Sequence, residues 1–135
     1  MSLAEFDVTG QKVLIVGAGR GIGKGIALAF AEAGADVAIA SLTSATVGQV
    51  AEEIRSVGGT ALPVTGDATK AVEMDKITAE VLAGFGHIDT LVTCVGDSIR
   101  KPVVKLPGTT EEGMTEEDWA HVVNINLTEA FQGCR

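Results

Sequence analysis

The stretch VGAGRGIGKG, residues 16–25, places a glycine at every second position: Gly17, Gly19, Gly21, Gly23 and Gly25. Glycine inside a helix or strand costs roughly 0.5–1 kcal/mol relative to alanine, so this density needs a reason. The flanks supply one. KVLIVG, residues 12–17, is a short apolar run rich in β-branched residues and reads as a buried strand. IALAFAEAG, residues 26–34, is an alanine-rich helical stretch that stops at a glycine. Strand, glycine turn and helix together make an anion site. Backbone N–H groups and the positive end of the helix dipole face the ligand, and the missing side chains let it come close.

Composition bounds the rest. The chain has 135 residues, 46% of them hydrophobic, with 17 glycines and no tyrosine. That length and apolar content fit one domain with a real core. A net charge of −8 argues against nucleic acid or an anionic membrane as partner. No apolar run is long enough to cross a bilayer. The first ten residues, MSLAEFDVTG, lack the basic segment and hydrophobic centre of a signal peptide. Cys94 and Cys134 form no framework, and no CxxC or histidine cluster suggests a metal. A cytoplasmic protein with reduced thiols is the expectation.

Strand and helix patterns alternate along the whole chain. ADVAIA, residues 35–40, reads as a second strand, and Val47, Val50, Ile54 and Val57 follow helical spacing. TALPVT, residues 60–65, reads as a third strand, placed at a sheet edge by Pro63. Val72, Ile77, Val81 and Phe85 mark another helix, and IDTLVT, residues 88–93, a fourth strand. A polar loop with two prolines follows, to about Gly113. TEED, residues 115–118, has a capping-box pattern. It opens a last helix whose apolar face should carry Trp119, Val122, Val123, Ala130 and Phe131. This alternation predicts an α/β fold of the Rossmann type, a doubly wound parallel sheet with strand order 3-2-1-4. Its ligands belong beyond the carboxyl ends of the strands, where the glycine turn lies.

The strict GxGxxG pattern fails, because a start at Gly17 puts Ile22 in the final position. Gly17, Gly21 and Gly23 give Gly-x-x-x-Gly-x-Gly, and here the chain resembles the short-chain dehydrogenase/reductase family. Further segments carry the resemblance in order: GDAT at residues 66–69, IDTLVTCVG at 88–96, and EEDWAHVVNINLTEAF at 116–131. By resemblance, Gly17 makes the turn, Gly21 lets a pyrophosphate approach and Gly23 lets the helix pack on the sheet. Gly19 and Gly25 fall at variable positions. Gly19, Arg20 and Ile22 are counted with the cofactor turn. Asp67, with Ala68 beside it, would meet the adenine; from its chemistry alone Asp67 could equally cap the next helix.

The resemblance implies a nicotinamide cofactor. An acid about 20 residues after the glycines would bind the ribose 2′-OH of NAD. This chain offers Ser41, Leu42, Thr43 and Ser44 instead, and Arg20 could face a 2′-phosphate. NADP is therefore expected over NAD, although Arg20 also reads as a solvated loop cation. Where the family carries Asn-Asn-Ala-Gly, this chain has Thr93-Cys94-Val95-Gly96. Gly96 can still admit the cofactor ribose, and Cys94 reads as a small buried apolar residue. Asn126 lies seven positions after Trp119, where the family places its catalytic asparagine, which holds a water in a proton relay. Its spacing puts an amide on the apolar face, costly unless hydrogen-bonded. Asn124 points elsewhere, and His87 and His121 read as structural or surface residues.

The family's chemistry also needs a serine and a Tyr-x-x-x-Lys on a following helix, and the chain has no tyrosine. The expectation is a single NAD(P)-binding domain, residues 1–135, that stops before the catalytic segment. The implied whole is an NADP-dependent oxidoreductase acting on a carbonyl/alcohol pair as a homo-oligomer, dimer or tetramer. The competing reading is a nucleotide-binding or scaffold module that lacks the active half. A methyltransferase is disfavoured, since it wants an acid after the second strand.

Overall fold

The computed structural model describes residues 7–135. The strands are β1 (Lys12–Val16), β2 (Asp36–Ser41), β3 (Thr60–Thr65) and β4 (Thr90–Thr93). The helices are α1 (Gly21–Glu32), α2 (Ser44–Ser56), α3 (Ala71–Phe85), α4 (Glu116–Val123) and α5 (Glu129–Cys134). A π turn, Asn124–Thr128, joins the last two helices. The sheet order is β3-β2-β1-β4. Every pairing is parallel, with Leu14 opposite Ala38 and Leu91, and Ala38 opposite Leu62. The expected doubly wound sheet is thus present in the expected order.

Alternation along β1 divides the core. Val13 and Ile15 pack with Val37, Ile39, Ala27, Ala31, Val50 and Ile54 on the α1–α2 face. Leu14 and Val16 pack with Ala38, Ala40, Val64, Met74, Ile77 and Val81 on the α3 face. The central strands are covered on both faces, which is why they read as continuous apolar runs rather than alternating ones. Pro63 sits in the edge strand β3, where a residue without an N–H is tolerated.

Three core assignments need correction. Val57 lies one residue past α2 and is 69% exposed. Val72 is 67% exposed, and Met74 fills the inward position of α3 in its place. The expected apolar face of the last helix is only partly covered: Val122, Val123 and Ala130 are half-buried, while Trp119 and Phe131 are each 62% exposed. Beyond Val123 the π turn changes the register. Its wider i→i+5 turn accommodates an extra residue, so the 3.6-residue spacing read through positions 119–131 does not continue across it. Glu129, not an apolar side chain, is the buried residue of α5.

Candidate active site

The site begins at the carboxyl end of β1. Backbone N–H groups of Gly17 and Ala18 both donate to the carbonyl of Ala40, at 2.8 and 3.1 Å, and so tie the turn to β2. The N–H of Cys94 donates to the carbonyl of Val16 at 2.8 Å, tying it to β4. Gly17 has φ +86, in the left-handed region, and a Cβ there would stand 2.7 Å from the backbone of Cys94. At Gly23 a Cβ would overlap the carbonyl oxygen of Gly17. That contact is what lets α1 start directly against the turn. Gly25 has open space around it.

The start of α1 is prepared for an anion. Arg20 occupies the N-cap position without a side-chain cap, and the first turn holds no acid. The first N–H groups of a helix have no partner within it. Here they face a cleft of about 620 Å³. The cleft brings together Gly17, Gly19, Arg20, Gly21, Ile22 and Gly23 from the turn, Ser41 and Leu42 from the end of β2, Asp67 and Ala68 after β3, and Cys94 and Gly96 after β4. All the residues picked from the sequence for the cofactor therefore share one cavity. Gly21 has φ +58 and nothing within 4 Å of a built Cβ, so the wall there is open.

Several members of the cleft were not found by sequence reasoning. Val16, Gly66, Thr69, Val95 and Asp97 also line it, as do His121, Asn124 and Ile125 from the last helix and its π turn. His121 is thus a cleft residue, and Asn124 reaches the cavity rather than pointing away. Reading an uninterrupted α-helix through the π turn hid Asn124; His121 lies before that turn, in α4. Gly19 stands close to two hydroxyl side chains: a Cβ there would stand 2.6 Å from the Thr46 hydroxyl oxygen and 2.9 Å from that of Ser41. Thr46 sits in the first turn of α2 and donates to the carbonyl of Thr43 at 2.8 Å. Cys94 is half-buried and lines the cleft.

Asp67 is held in place. Its carboxylate accepts from the N–H and hydroxyl of Thr69, at 3.1 and 2.6 Å, and pairs with Lys70 at 3.0 Å. The Thr69 hydroxyl, followed by Lys70, keeps its pKa below the usual carboxylate range. Its backbone N–H donates to Glu73 at 2.8 Å. The N-cap of α3 is Lys70, so Asp67 braces the approach to the helix instead of capping it.

Asn126 is exposed, not on a buried face. Its amide donates to the carbonyls of Asp97 and Val122 at 2.8 and 2.9 Å. A Cβ at Gly96 would stand 2.8 Å from Oδ1 of Asn126. The asparagine thus supports the loop that forms one cleft wall, from outside the cavity lining. The capping box appears as expected: Asp118 N–H donates to the Thr115 hydroxyl at 3.1 Å, and Thr115 N–H donates back to Asp118 at 3.0 Å. Lys101 reaches across from the loop to Asp118 at 2.6 Å, and this ammonium contributes most to holding the acid down at about 2.

A glycine turn against a parallel sheet, a helix start open to an anion and loops converging on one cavity are the arrangement on which α/β proteins of the doubly wound class bind nucleotides. Residues 11–135 match the family model for short chain dehydrogenases. The chain belongs to the short-chain dehydrogenase/reductase family, whose members bind nicotinamide cofactors. It is 39% identical over 126 residues to the hydroxynaphthalene reductase-like protein Arp2 of Metarhizium robertsii, a match covering 93% of this chain and 44% of that protein. A short-chain type dehydrogenase/reductase from Mycobacterium marinum superimposes with a TM-score of 0.86 at 35% identity, covering 99% of this chain and 51% of that one. A 7α-hydroxysteroid dehydrogenase complexed with NADH and 7-oxo glycochenodeoxycholic acid gives 0.85 at 28% identity, covering 98% and 49%. The chain therefore spans about half the length of these relatives.

Proposed function

We propose that the chain is the cofactor-binding part of an NADP(H)-preferring oxidoreductase that moves hydride between nicotinamide and a carbonyl/alcohol substrate. The observation that carries this reading is the pairing of Arg20 and Ser41 on one cleft, with no carboxylate at the end of β2. The first acids after Ser41 are Glu52 and Glu53, more than two helical turns into α2. A carboxylate beside Ser41 would accept from a ribose 2′-OH and repel a 2′-phosphate. Arg20 makes no ion pair among the described residues, which leaves its guanidinium available for two parallel hydrogen bonds to a phosphate.

The residues present fit a dinucleotide. The first-turn N–H groups of α1 would take the pyrophosphate, with Gly21 giving it room. Asp67 and Ala68 would flank the adenine, and Gly96 would meet the ribose nearer the nicotinamide. When bound, the nicotinamide supplies or accepts the hydride. Asn126 would hold the loop at Asp97 and orient a water for proton movement. An alcohol or ketone also needs a positioned acid or base, and these 135 residues contain no tyrosine to serve as one. Exposed Trp119 and Phe131 on adjoining helices support a homo-oligomeric protein. No helix among the described residues is long and apolar enough to cross a membrane.

Titrating the protein with NADPH and with NADH tests the reading. Tighter binding of NADPH by tenfold or more supports it, and equal or tighter binding of NADH overturns it.

A further inference from the structure

Glu129 is 1% exposed, the one charged side chain buried among the described residues. Its Oε1 has no hydrogen-bond partner. It opens α5 directly after the π turn, and its backbone N–H donates to the carbonyl of Asn124. α5 packs on β4 and on α3: a Cβ at Gly133 would stand 3.3 Å from Thr93, 3.4 Å from Leu91 and 3.9 Å from Met74. No cation pairs with Glu129: Lys76, the one cation of α3, makes no salt bridge to it, and burial alone shifts its carboxyl. β4 and the π turn carry no charged residue. The charged residues of α3 are Glu73, Asp75, Lys76 and Glu80. Glu73 pairs with Lys70, and Asp75 is taken by Arg135 at 2.8 Å, at the far end of α5.

An ionised carboxylate in such a place loses its hydration and gains no counter-charge. We propose that Glu129 makes the docking of α5 proton-dependent: the neutral acid seats the helix on β4 and α3, and the carboxylate favours the undocked helix. Burial alone raises this carboxyl to about 7, from an ordinary 4.5. The sign follows from linkage. Docked Glu129 binds its proton more tightly than undocked Glu129, so docking is strongest below the ordinary value and weakens as pH rises towards the docked one. The consequence reaches the cofactor cleft, because the π turn between α4 and α5 supplies Asn124 and Ile125 to its lining and holds Asn126 against Asp97. The helix that closes one side of the cleft would loosen progressively as pH rises from about 4.5 to about 7.

Amide exchange followed by mass spectrometry tests this on the chain of this sequence. Rates for residues 124–135 are corrected for intrinsic pH dependence and referred to β1 and β2. Opening of this segment should rise about 50-fold between about pH 5 and about pH 8. Glu129→Gln, neutral and of similar shape, should abolish that dependence. A flat profile in the natural chain, or an unchanged rise in Glu129→Gln, overturns the proposal. Should the variant fail to fold, a carboxyl carbon-13 NMR titration of the natural chain decides. A Glu129 midpoint above about 6 sustains the proposal, and one near the ordinary carboxylate value ends it.

Discussion

The side-chain amide of Asn126 donates to the main-chain carbonyl of Asp97 at 2.8 Å, joining the π turn of the last helix to the loop that leaves β4. Gly96 makes the contact possible, since any Cβ there would sit 2.8 Å from the asparagine oxygen. One residue thereby links the two elements that form one side of the cleft. Asn126→Ala removes both donors and leaves the Asp97 and Val122 carbonyls to water. The exposed setting keeps the stability loss near 1 kcal/mol. Amide exchange in residues 96–101 should nevertheless speed up severalfold, and cofactor binding should weaken. Unchanged exchange in that loop would show that the contact does not hold it.

The turn glycines should separate cleanly. Gly23→Ala drives a methyl group into the carbonyl of Gly17, and overpacking of this kind costs about 2 kcal/mol. It also displaces the helix start that faces the cleft, so cofactor affinity should fall with stability. Gly25→Ala meets open space inside α1 and should stabilise by up to about 1 kcal/mol. Chemical denaturation of both variants gives the comparison. Equal effects at the two positions would contradict the packing described here.

Most of the fold was legible because its signals are local. β1 and β2 are covered on both faces, so their apolar runs stand out, and the glycine turn is fixed by steric contacts within a few residues of itself. The last helix was misread because its signal is not local. Capping at Thr115 and apolar spacing from Trp119 were both visible, but a π turn has no mark in the pattern, and beyond it every inference about facing was rotated. That error placed Asn126 inside, left out Asn124 and missed Glu129, whereas His121, before the turn, carried no signal of its own beyond being an isolated histidine. The neighbours of Gly19, Ser41 and Thr46, were not legible either, since they are distant in sequence and only the β1–β2 pairing brings them close.

The loop from Asp97 to Gly113 should be pinned at neutral pH and released by strong acid. Lys101 pairs with Asp118, whose carboxylate also accepts from the Thr115 N–H, and together these hold Asp118 at about 2. A depressed carboxylate pKa contributes stability above its unfolded value and loses it as pH falls through the folded one. Lys101→Met should therefore lower the protection of α4 amides at neutral pH, and the difference should shrink as pH falls through about 2. A difference that persists in acid would assign the effect of Lys101 to packing instead. Thr115→Ala, which removes the cap hydroxyl itself, should cost about 1 kcal/mol.

The 135 residues by themselves should not reduce ketones. Hydride transfer to a carbonyl requires a proton donor within hydrogen-bond reach of its oxygen, and the chain has no tyrosine. Asn126 can orient water but has no proton to give near neutral pH. Lys101 and Lys105 are engaged with Asp118 and Glu112, each at 2.6 Å, away from the cleft lining. Incubation with NADPH and a panel of ketones, followed by nicotinamide absorbance, should match the enzyme-free control. Turnover that disappears in Asn126→Ala would reveal a more complete site than these residues describe.

Cofactor preference should turn on Ser41. Its hydroxyl oxygen lies where a Cβ on Gly19 would be only 2.9 Å away, so the end of β2 and the glycine turn are in close register at the edge of the cleft. Arg20, the next residue of the turn, lines the same cavity. A ribose 2′-substituent placed between them would meet a cation and a hydroxyl, a pairing that suits a phosphate and offers a plain hydroxyl little. Ser41→Asp puts a carboxylate there. It would accept from a 2′-OH, repel a 2′-phosphate and compete for Arg20, so NADPH should lose affinity while NADH gains it. A shift in the NADPH:NADH affinity ratio of at least tenfold, about 1.4 kcal/mol, is expected. Arg20→Ala should weaken NADPH and leave NADH nearly unchanged, which separates loss of the phosphate contact from general damage to the turn. If both variants weaken the two cofactors equally, Arg20 and Ser41 shape the turn without reading the 2′ position.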